Sequence, residues 1–534
     1  MRRLYVSSPT HSFAYLHHWM QDSMSLKTSK PHLLHFTEIS FENTSTSSPH
    51  CGHFLIVRVG VRILAAPGQR SNIQLYSPFR FKGVRGVNTL AIANGTHEMD
   101  PHQARPFTLS DQESGNLNAF FLRRRIPAIV EKGIEDYISK KTGMPWKDPV
   151  ALDRLRKAIM SQKEDYWKPA QQRTLRYTKG YSVLAYLAYH FPVYYMQTEY
   201  LLAMLARDGL LKPTVNILDA GSGPGVASLA IADFYSRLDS ARAVVHSVER
   251  SEEHIEAFQF LRDQCTSAGT NVSIKKPIAM DISNPNLEKI PGKIDLIIFS
   301  NVLNELPGED IQSHADVVEK ISKRLSPDGS ILVIEPADED NATRMRQLVI
   351  ALVKRGFSIY SPCTFLWGSL CGAPRCWSFT TAPPIHPPRM MEVLGSGPEG
   401  YRFLNTDIKY SFAVLRKDGR VKHECRMPAG AKFLRFSHLS DHIGKRVNVV
   451  AAKMSGELGN ARTHVIKVCD ATANVPVYAV VPSYHVTQDN SLILEAGYGS
   501  LLEFQGVLVR YNKTHDAYNL LITRNTKIKA LVNA

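Results

Sequence analysis

The stretch Asn216-Ile-Leu-Asp-Ala-Gly-Ser-Gly-Pro-Gly225 constrains the fold more than any other part of the chain. An apolar run closes on an acid and then on glycines at 221, 223 and 225, as when a buried strand enters a tight turn where a ligand must meet backbone. Asp219 falls at the strand's carboxyl end, where open α/β sheets hold their ligands. The next strand-like run, Ala243 to Val248, ends in Glu249, a carboxylate placed to accept both hydroxyls of a ribose. That spacing suits a dinucleotide or an adenosine-containing methyl donor.

The order Asp-x-Gly-x-Gly-x-Gly resembles the first motif of class I S-adenosylmethionine-dependent methyltransferases more than the Gly-x-Gly-x-x-Gly of dinucleotide binders, whose pyrophosphate needs a closer helix N-terminus. Downstream, Ile274 to Met280 reads as a third strand ending at Asp281. Ile294 to Ser300 reads as a fourth, followed by Asn301-Val-Leu-Asn-Glu-Leu306. A helix from about 310 to 325, a Ser-Pro-Asp-Gly turn and a strand from 330 to 335 come next. Strands alternating with helices predict an α/β, Rossmann-like domain with a parallel sheet. The expected binding residues for S-adenosyl-L-methionine are Asp219, Gly221, Gly223, Gly225, Glu249, Asp281 and Asn301.

With 534 residues, 44% of them apolar, the chain has room for roughly three domains. No apolar run reaches the roughly 18 residues of a membrane span, and Tyr181 to Ala206, the richest, is broken by His190, Pro192, Gln197 and Glu199. No membrane partner is expected. A formal net charge of +15 favours a polyanionic partner, with nucleic acid the first expectation. Residues 1–115 read as a poorly defined leader, rich in Ser, Thr and His, with a strand-like run from His53 to Leu64. Its Arg and Ser content and few acids suit an organellar transit peptide, so a cytoplasmic location is expected with the mitochondrial matrix as the alternative. Residues 116–208 read as helical, with segments over 128–141, 149–164 and 181–207, the last broken at Pro192. The methyltransferase domain spans 209–425.

Residues 432–534 carry five β-rich segments, 446–454, 463–469, 475–481, 501–511 and 517–523, the number and size of a small OB-like barrel. From Arg420 to Ala534, 15 Lys and Arg stand against 8 Asp and Glu, interleaved with Tyr478, Tyr484, Tyr511 and Tyr518. Basic groups that follow a phosphate backbone and rings that stack on bases make this the expected RNA-binding module.

Seven cysteines, an odd number, argue against a disulfide framework. Three crowd together as Cys363, Cys371 and Cys376, a spacing unlike paired zinc knuckles and suited to an iron–sulfur cluster completed by a distant thiol. Cys425, in Lys422-His-Glu-Cys-Arg-Met-Pro, is the expected fourth ligand, and zinc is the alternative metal.

The helix from Tyr181 to Tyr195, the glycine loop, the segment from Asn301, the cysteine cluster ending Cys376-Trp-Ser-Phe379, and Tyr410-Ser-Phe-Ala-Val-Leu-Arg416 occur in this order. Together they resemble the ribosomal small-subunit methyltransferase-like family, which has a mitochondrial member. The resemblance covers roughly 177–425 and leaves the barrel outside, as in a divergent, archaeal-type member. It implies a Rossmann-like methyltransferase domain, association with the small ribosomal subunit or its assembly, and a 4Fe-4S cluster on Cys363, Cys371, Cys376 and Cys425. This chain departs from it in having Cys363-Thr-Phe and Cys376-Trp-Ser-Phe where the family commonly carries histidines.

The resulting expectation is a methyltransferase-like protein acting on ribosomal RNA or in small-subunit assembly and translation. Catalysis by orientation needs no strong acid–base constellation, and none is present, so no catalytic residue is assigned. The Asn-Pro-Pro-Tyr motif of base-amine methylation is absent as well. A non-catalytic assembly or RNA-binding factor with a retained pocket, and a small-molecule methyltransferase, are the alternatives.

Overall fold

The computed structural model describes residues 39–44, 56–61 and 107–531, apart from 169–179, 267–270, 307, 309, 398 and 429. Two compact units divide the chain, Met1–Asp100 and Pro101–Ala534. In the first, β1 (Ile39–Thr44) pairs antiparallel with β2 (Ile56–Val61), Ile39 opposite Val61. Strand β2 falls within the expected apolar run. The other leader residues up to 106 lie outside the described residues.

The second unit opens with five helices. α1 (Asp111–Arg123) starts on a capping box, in which the Ser110 hydroxyl accepts from the Glu113 N–H and the Glu113 carboxylate accepts from the Ser110 N–H. The boundary expected at 115 therefore falls inside a helix, because Ser-x-x-Glu starts it earlier. α2 (Ala128–Thr142) ends on Gly143 at φ 68°, and α3 (Pro149–Trp167) is capped by Asp148. α4 (Ser182–Tyr189) and α5 (Phe191–Arg207) divide at His190. Pro192 sits in the first turn of α5, where its missing N–H has no intrahelical partner to lose.

A sheet in the order β10-β11-β8-β7-β3-β4-β5 follows, built from β3 (Thr214–Ala220), β4 (Arg242–Glu249), β5 (Val272–Ile274), β7 (Ile294–Ser300), β8 (Leu325–Pro336), β10 (Thr380–Ala382) and β11 (Ile408–Arg416). Strands β3, β4, β5, β7 and β8 run parallel, and β11 returns antiparallel against β8. Two short strands lie off this path: β6 (Ile278–Ala279) pairs with β4, and β9 (Ser358–Ser361) with β11. The expected third strand is thus two pieces, β5 and β6, separated at Lys275-Lys276-Pro277, where proline has no N–H for a ladder. The Ser-Pro-Asp-Gly turn lies within β8 as a bulge, since Ile294 pairs with Leu325 but Leu296 with Ser330.

Side-chain alternation assigns each strand to two cores. Ile217, Leu296, Ile298, Leu332 and Ile334 pack with the helical region, α6 (Val226–Ser236) and α7 (Glu252–Cys265). Leu218, Ile297, Phe299, Ile331 and Val333 pack with α8 (Ile311–Ile321) and α9 (Glu339–Lys354). α10 (Arg389–Leu394) adds Met390 and Leu394 to the first core.

The last hundred residues form β12 (Arg446–Lys453), β13 (Thr463–Cys469), β14 (Val477–Pro482), β15 (Leu501–Asn512) and β16 (Ala517–Leu521). They close into a five-stranded barrel because β12 pairs with both β13 and β15, while β14 and β16 run parallel. α11 (Leu492–Glu495) lies between the third and fourth strands, and a sixth strand, β17 (Lys527–Ala530), edges β15. The barrel seats on the preceding domain through α9, whose buried Arg346 donates to Ser378, the Phe412 carbonyl and the Tyr498 hydroxyl at 2.7–2.8 Å. No described helix is long and apolar enough to cross a membrane.

Candidate active site and a second, thiol-lined cavity

Strand β3 has parallel neighbours on both sides, β4 and β7, so the helices leaving their carboxyl ends diverge and open a crevice. A cavity of about 530 Å³ lies there. Asp219, Gly221, Gly223, Glu249, Asp281 and Asn301 all line it. Gly225 does not: it starts α6 at φ 86°, and a Cβ there would meet the Phe258 ring at 2.2 Å, so this glycine serves packing.

The loop is held by its own carboxylates. Asp219 Oδ2, buried, accepts from the Ser228 N–H at 3.0 Å and hydroxyl at 2.7 Å, which ties the strand end to α6. Burial pushes the Asp219 carboxyl up to about 7 against the pull of those bonds. Glu249 is 7% exposed and accepts from three backbone N–H groups, those of Gly223 at 2.9 Å, Arg250 at 2.9 Å and Ser251 at 2.7 Å. Burial raises its pKa above the ordinary carboxylate value, opposed by those bonds. Gly221 takes φ 75°, and a Cβ on it would meet Val302 Cγ2 at 2.3 Å. Gly223 takes φ 53°, but the nearest atom to its would-be Cβ is His254 Nδ1 at 3.8 Å, so only backbone faces the cavity there.

Asn301 leaves β7 at φ 52°, an unusual conformation for a residue with a side chain. Its N–H is fixed by the Ile334 carbonyl at 2.8 Å, and Glu335 accepts from the Leu303 N–H at 3.1 Å, pinning the segment that follows. The side-chain oxygens Asn301 Oδ1 and Ser222 Oγ are buried without a hydrogen-bond partner. Asp281 accepts from the Ser283 N–H at 2.8 Å and stands 3.7 Å from Arg250.

Sequence patterns missed the far wall. Tyr186 from α4 and His254 from α7 line the cavity, their rings 5.9 Å apart, and Glu305 and Leu306 close it. Burial lowers the His254 imidazole to about 3, so it is neutral at physiological pH. Apolar periodicity marked Tyr186 as a core residue; nothing local distinguishes a core tyrosine from one on a cavity wall.

A second cavity, about 370 Å³, lies between α9, the loop from Cys363 and the barrel. Cys363, Cys371 and Cys376 line it as their spacing suggests, but the fourth thiol is Cys469, at the end of β13. Cys425 is not among its lining residues; it packs in the small apolar cluster of Leu366, Val450 and Met454. The Cys469 thiol hydrogen-bonds Cys371, which lowers the Cys371 pKa and raises that of Cys469. Lys467 Nζ stands 3.7 Å from Cys376 Sγ, and Arg346 Nη1, on the same cavity, is buried without a partner. Among the described residues no three His, Cys, Asp or Glu side chains are already drawn together around an ion position.

Residues 211–380 match the family model described as "Methyltransferase domain", and 437–531 match the C-terminal domain of a domain of unknown function, DUF8157. The sheet order and these matches define a class I methyltransferase-like domain followed by a barrel. No curated protein matches the chain. Among solved structures, an S-adenosylmethionine-dependent methyltransferase from Clostridium acetobutylicum is similar at 18% identity and TM-score 0.21, covering 27% of this chain and 51% of that one. The chain thus spans about half that protein's length. Magnesium protoporphyrin IX methyltransferase from Synechocystis, with bound SAM, is similar at 16% identity and TM-score 0.26, covering 49% and 95%. A fibrillarin/Nop5p complex is similar at 14% identity and TM-score 0.23, covering 39% and 74%. Overlaps of this size carry no argument about activity.

Proposed function

We propose that the chain binds S-adenosyl-L-methionine in the 530 Å³ cavity and methylates ribosomal RNA within the small subunit or its assembly intermediates. The observation that carries the reading is Glu249, buried at the end of the strand next to the glycine loop and held in place by three N–H groups. The fit with the methyl donor rests further on Gly223, whose missing Cβ leaves open space, and on the unpartnered Ser222 and Asn301 oxygens. Glu249 would take the ribose hydroxyls, Asp281 and Ile282 the base side, and the loop backbone the amino-acid end.

When bound, the donor supplies a methyl group on a positively charged sulfur. The protein's part is orientation: Tyr186, Asn301 and Glu305 flank the space left for an acceptor, and the apolar surface of Val302 and Leu306 excludes water. The RNA of the small subunit is supported by the ordered resemblance described above and by the basic barrel. The barrel's pairing, parallel between third and fifth strands and antiparallel between first and fourth, supports an OB-like assignment.

The second cavity suits a 4Fe-4S cluster in kind and charge: four thiols converge on it, and Arg346 and Lys467 stand ready to offset thiolate charge. Cys363, Cys371, Cys376 and Cys469 would hold it. Zinc is separated from iron by elemental analysis of anaerobically purified protein, and stoichiometric zinc without iron rejects the cluster.

The test of function is transfer of labelled methyl groups from S-adenosylmethionine into RNA of small subunits isolated from cells lacking the protein. Incorporation at one position, lost in Gly223→Leu, is expected. Calorimetry showing no binding of the methyl donor or of S-adenosylhomocysteine would sink the proposal.

A further inference from the structure

The barrel's basic residues are not equivalent, because one side is already used. Lys467 and Tyr478, paired across β13 and β14, belong to the side packed on the preceding domain, with Lys467 only 5% exposed beside Cys376. Gly456, after β12, is pressed so closely on Thr381 that a Cβ would come within 2.6 Å of its hydroxyl. Tyr478, expected among the RNA-stacking rings, is half-buried at this seat.

The opposite wall is β15 with its neighbours β12, β16 and β17. Alternation sends Val507 and Val509 into the core, so Leu508 and Arg510 point outward. Arg446 pairs with Leu508, and Lys527 and Lys529 pair with Gln505 and Glu503, which brings four exposed cations onto one face. Arg446 extends this face by donating to the Gly506 carbonyl at 2.7 Å and the Thr523 hydroxyl at 3.2 Å. The next residue, Arg524, donates Nε to the Tyr484 carbonyl at 3.2 Å, fixing its guanidinium beside a tyrosine that is 69% exposed. The carboxylate Glu503 stands opposite Lys529, and the Asp516 carboxylate at the β15–β16 tip accepts from Tyr511.

From this arrangement we infer that the outer face of β12, β15 and β17, ending at Tyr484, is a docking surface for single-stranded nucleic acid. This inference deepens the reading of the barrel as the RNA-contacting module and rests on it. Four cations on a regular strand lattice follow phosphates, and an exposed ring with a guanidinium alongside it offers a base a stacking platform. An acidic polypeptide would use the cations but has no need of the ring.

The test uses the full chain and a fluorescent single-stranded RNA 12-mer read by anisotropy, with labelled polyglutamate as the competing probe. Arg510→Glu/Lys527→Glu/Lys529→Glu is expected to weaken RNA binding at least tenfold. It is also expected to flatten the salt dependence by about two log units per decade, at about 0.7 for each phosphate the variant leaves unneutralised. Tyr484→Ala, which leaves the charge intact, is expected to lose roughly fivefold with an unchanged salt slope. The equally charged control Arg207→Glu/Lys289→Glu/Lys323→Glu is expected to bind nearly as wild type. Patch variants binding like wild type while the control loses affinity, or polyglutamate binding as tightly as RNA, would overturn the assignment. Wild-type protein that fails to bind RNA at low salt would instead reject the underlying reading. Should the triple variant misfold by circular dichroism, Tyr484→Ala alone decides the matter.

Discussion

Asp219 shows how one buried group couples loop geometry to pH. Its carboxyl would titrate near 3.8 in an unfolded chain, and burial lifts it to about 7 in the fold. The folded state therefore holds the proton more tightly. Its stabilising contribution is complete below about pH 4 and is lost as pH rises through 7. His190 and His254 run the other way: burial lowers each from 6.5 to about 3, so their contribution is complete above pH 6.5 and lost as pH falls toward 3. Asp219→Asn keeps an oxygen for Ser228 and removes the titration. Its stability relative to wild type should rise by roughly 2–4 kcal/mol between pH 4 and pH 8. Urea unfolding at the two pH values checks this, and a difference that stays constant with pH would show that Asp219 remains ionised throughout.

At the scale of elements, the glycine loop that reads in the sequence as one motif contains three different constraints. Gly221 makes room for Val302, Gly225 for the Phe258 ring, and only Gly223 leaves open space toward the cavity. Gly225→Ala combines a disfavoured φ with a 2.2 Å contact and should cost about 3 kcal/mol or more of stability. Gly223→Leu, at a φ that side chains tolerate with modest strain, should cost about 1 kcal/mol while abolishing S-adenosylhomocysteine binding. Thermal unfolding and calorimetry on both variants separate the two roles; equal destabilisation would show that Gly223 too is a packing glycine. The parallel strands β3, β4 and β7 were legible because each is a short apolar run closing on a polar residue. Strand β5 was misread because Pro277 interrupts a sequence that otherwise looks extended. α1 went unread because the helical pattern was sought by apolar periodicity, and its first turn is announced by a capping box instead.

The whole molecule is less legible than its parts, because the contacts that join domains come from residues far apart in sequence. Cys469 stands on a barrel strand 93 positions after Cys376, in an apolar context that gives no hint of a ligand, whereas Cys425 looked suitable only because it is nearer and sits among polar residues. The fold reverses that preference. If the proposed cluster forms on Cys363, Cys371, Cys376 and Cys469, it ties the methyltransferase domain to the barrel alongside the Arg346–Tyr498 bond. The connection between β11 and β12 carries Lys417, Arg420, Lys422, Arg426, Lys432 and Arg435, each a trypsin site. With the cluster in place the barrel is held against α9 and this connection should resist cleavage. Cys469→Ser should lose the iron and be cut there at least fivefold faster, releasing a barrel fragment that stays folded. Cys425→Ser should retain both the iron and the resistance. Loss of iron from Cys425→Ser but not from Cys469→Ser would restore the ligand set that the sequence suggested, and equal cleavage rates with and without metal would show that the Arg346 contacts alone seat the barrel.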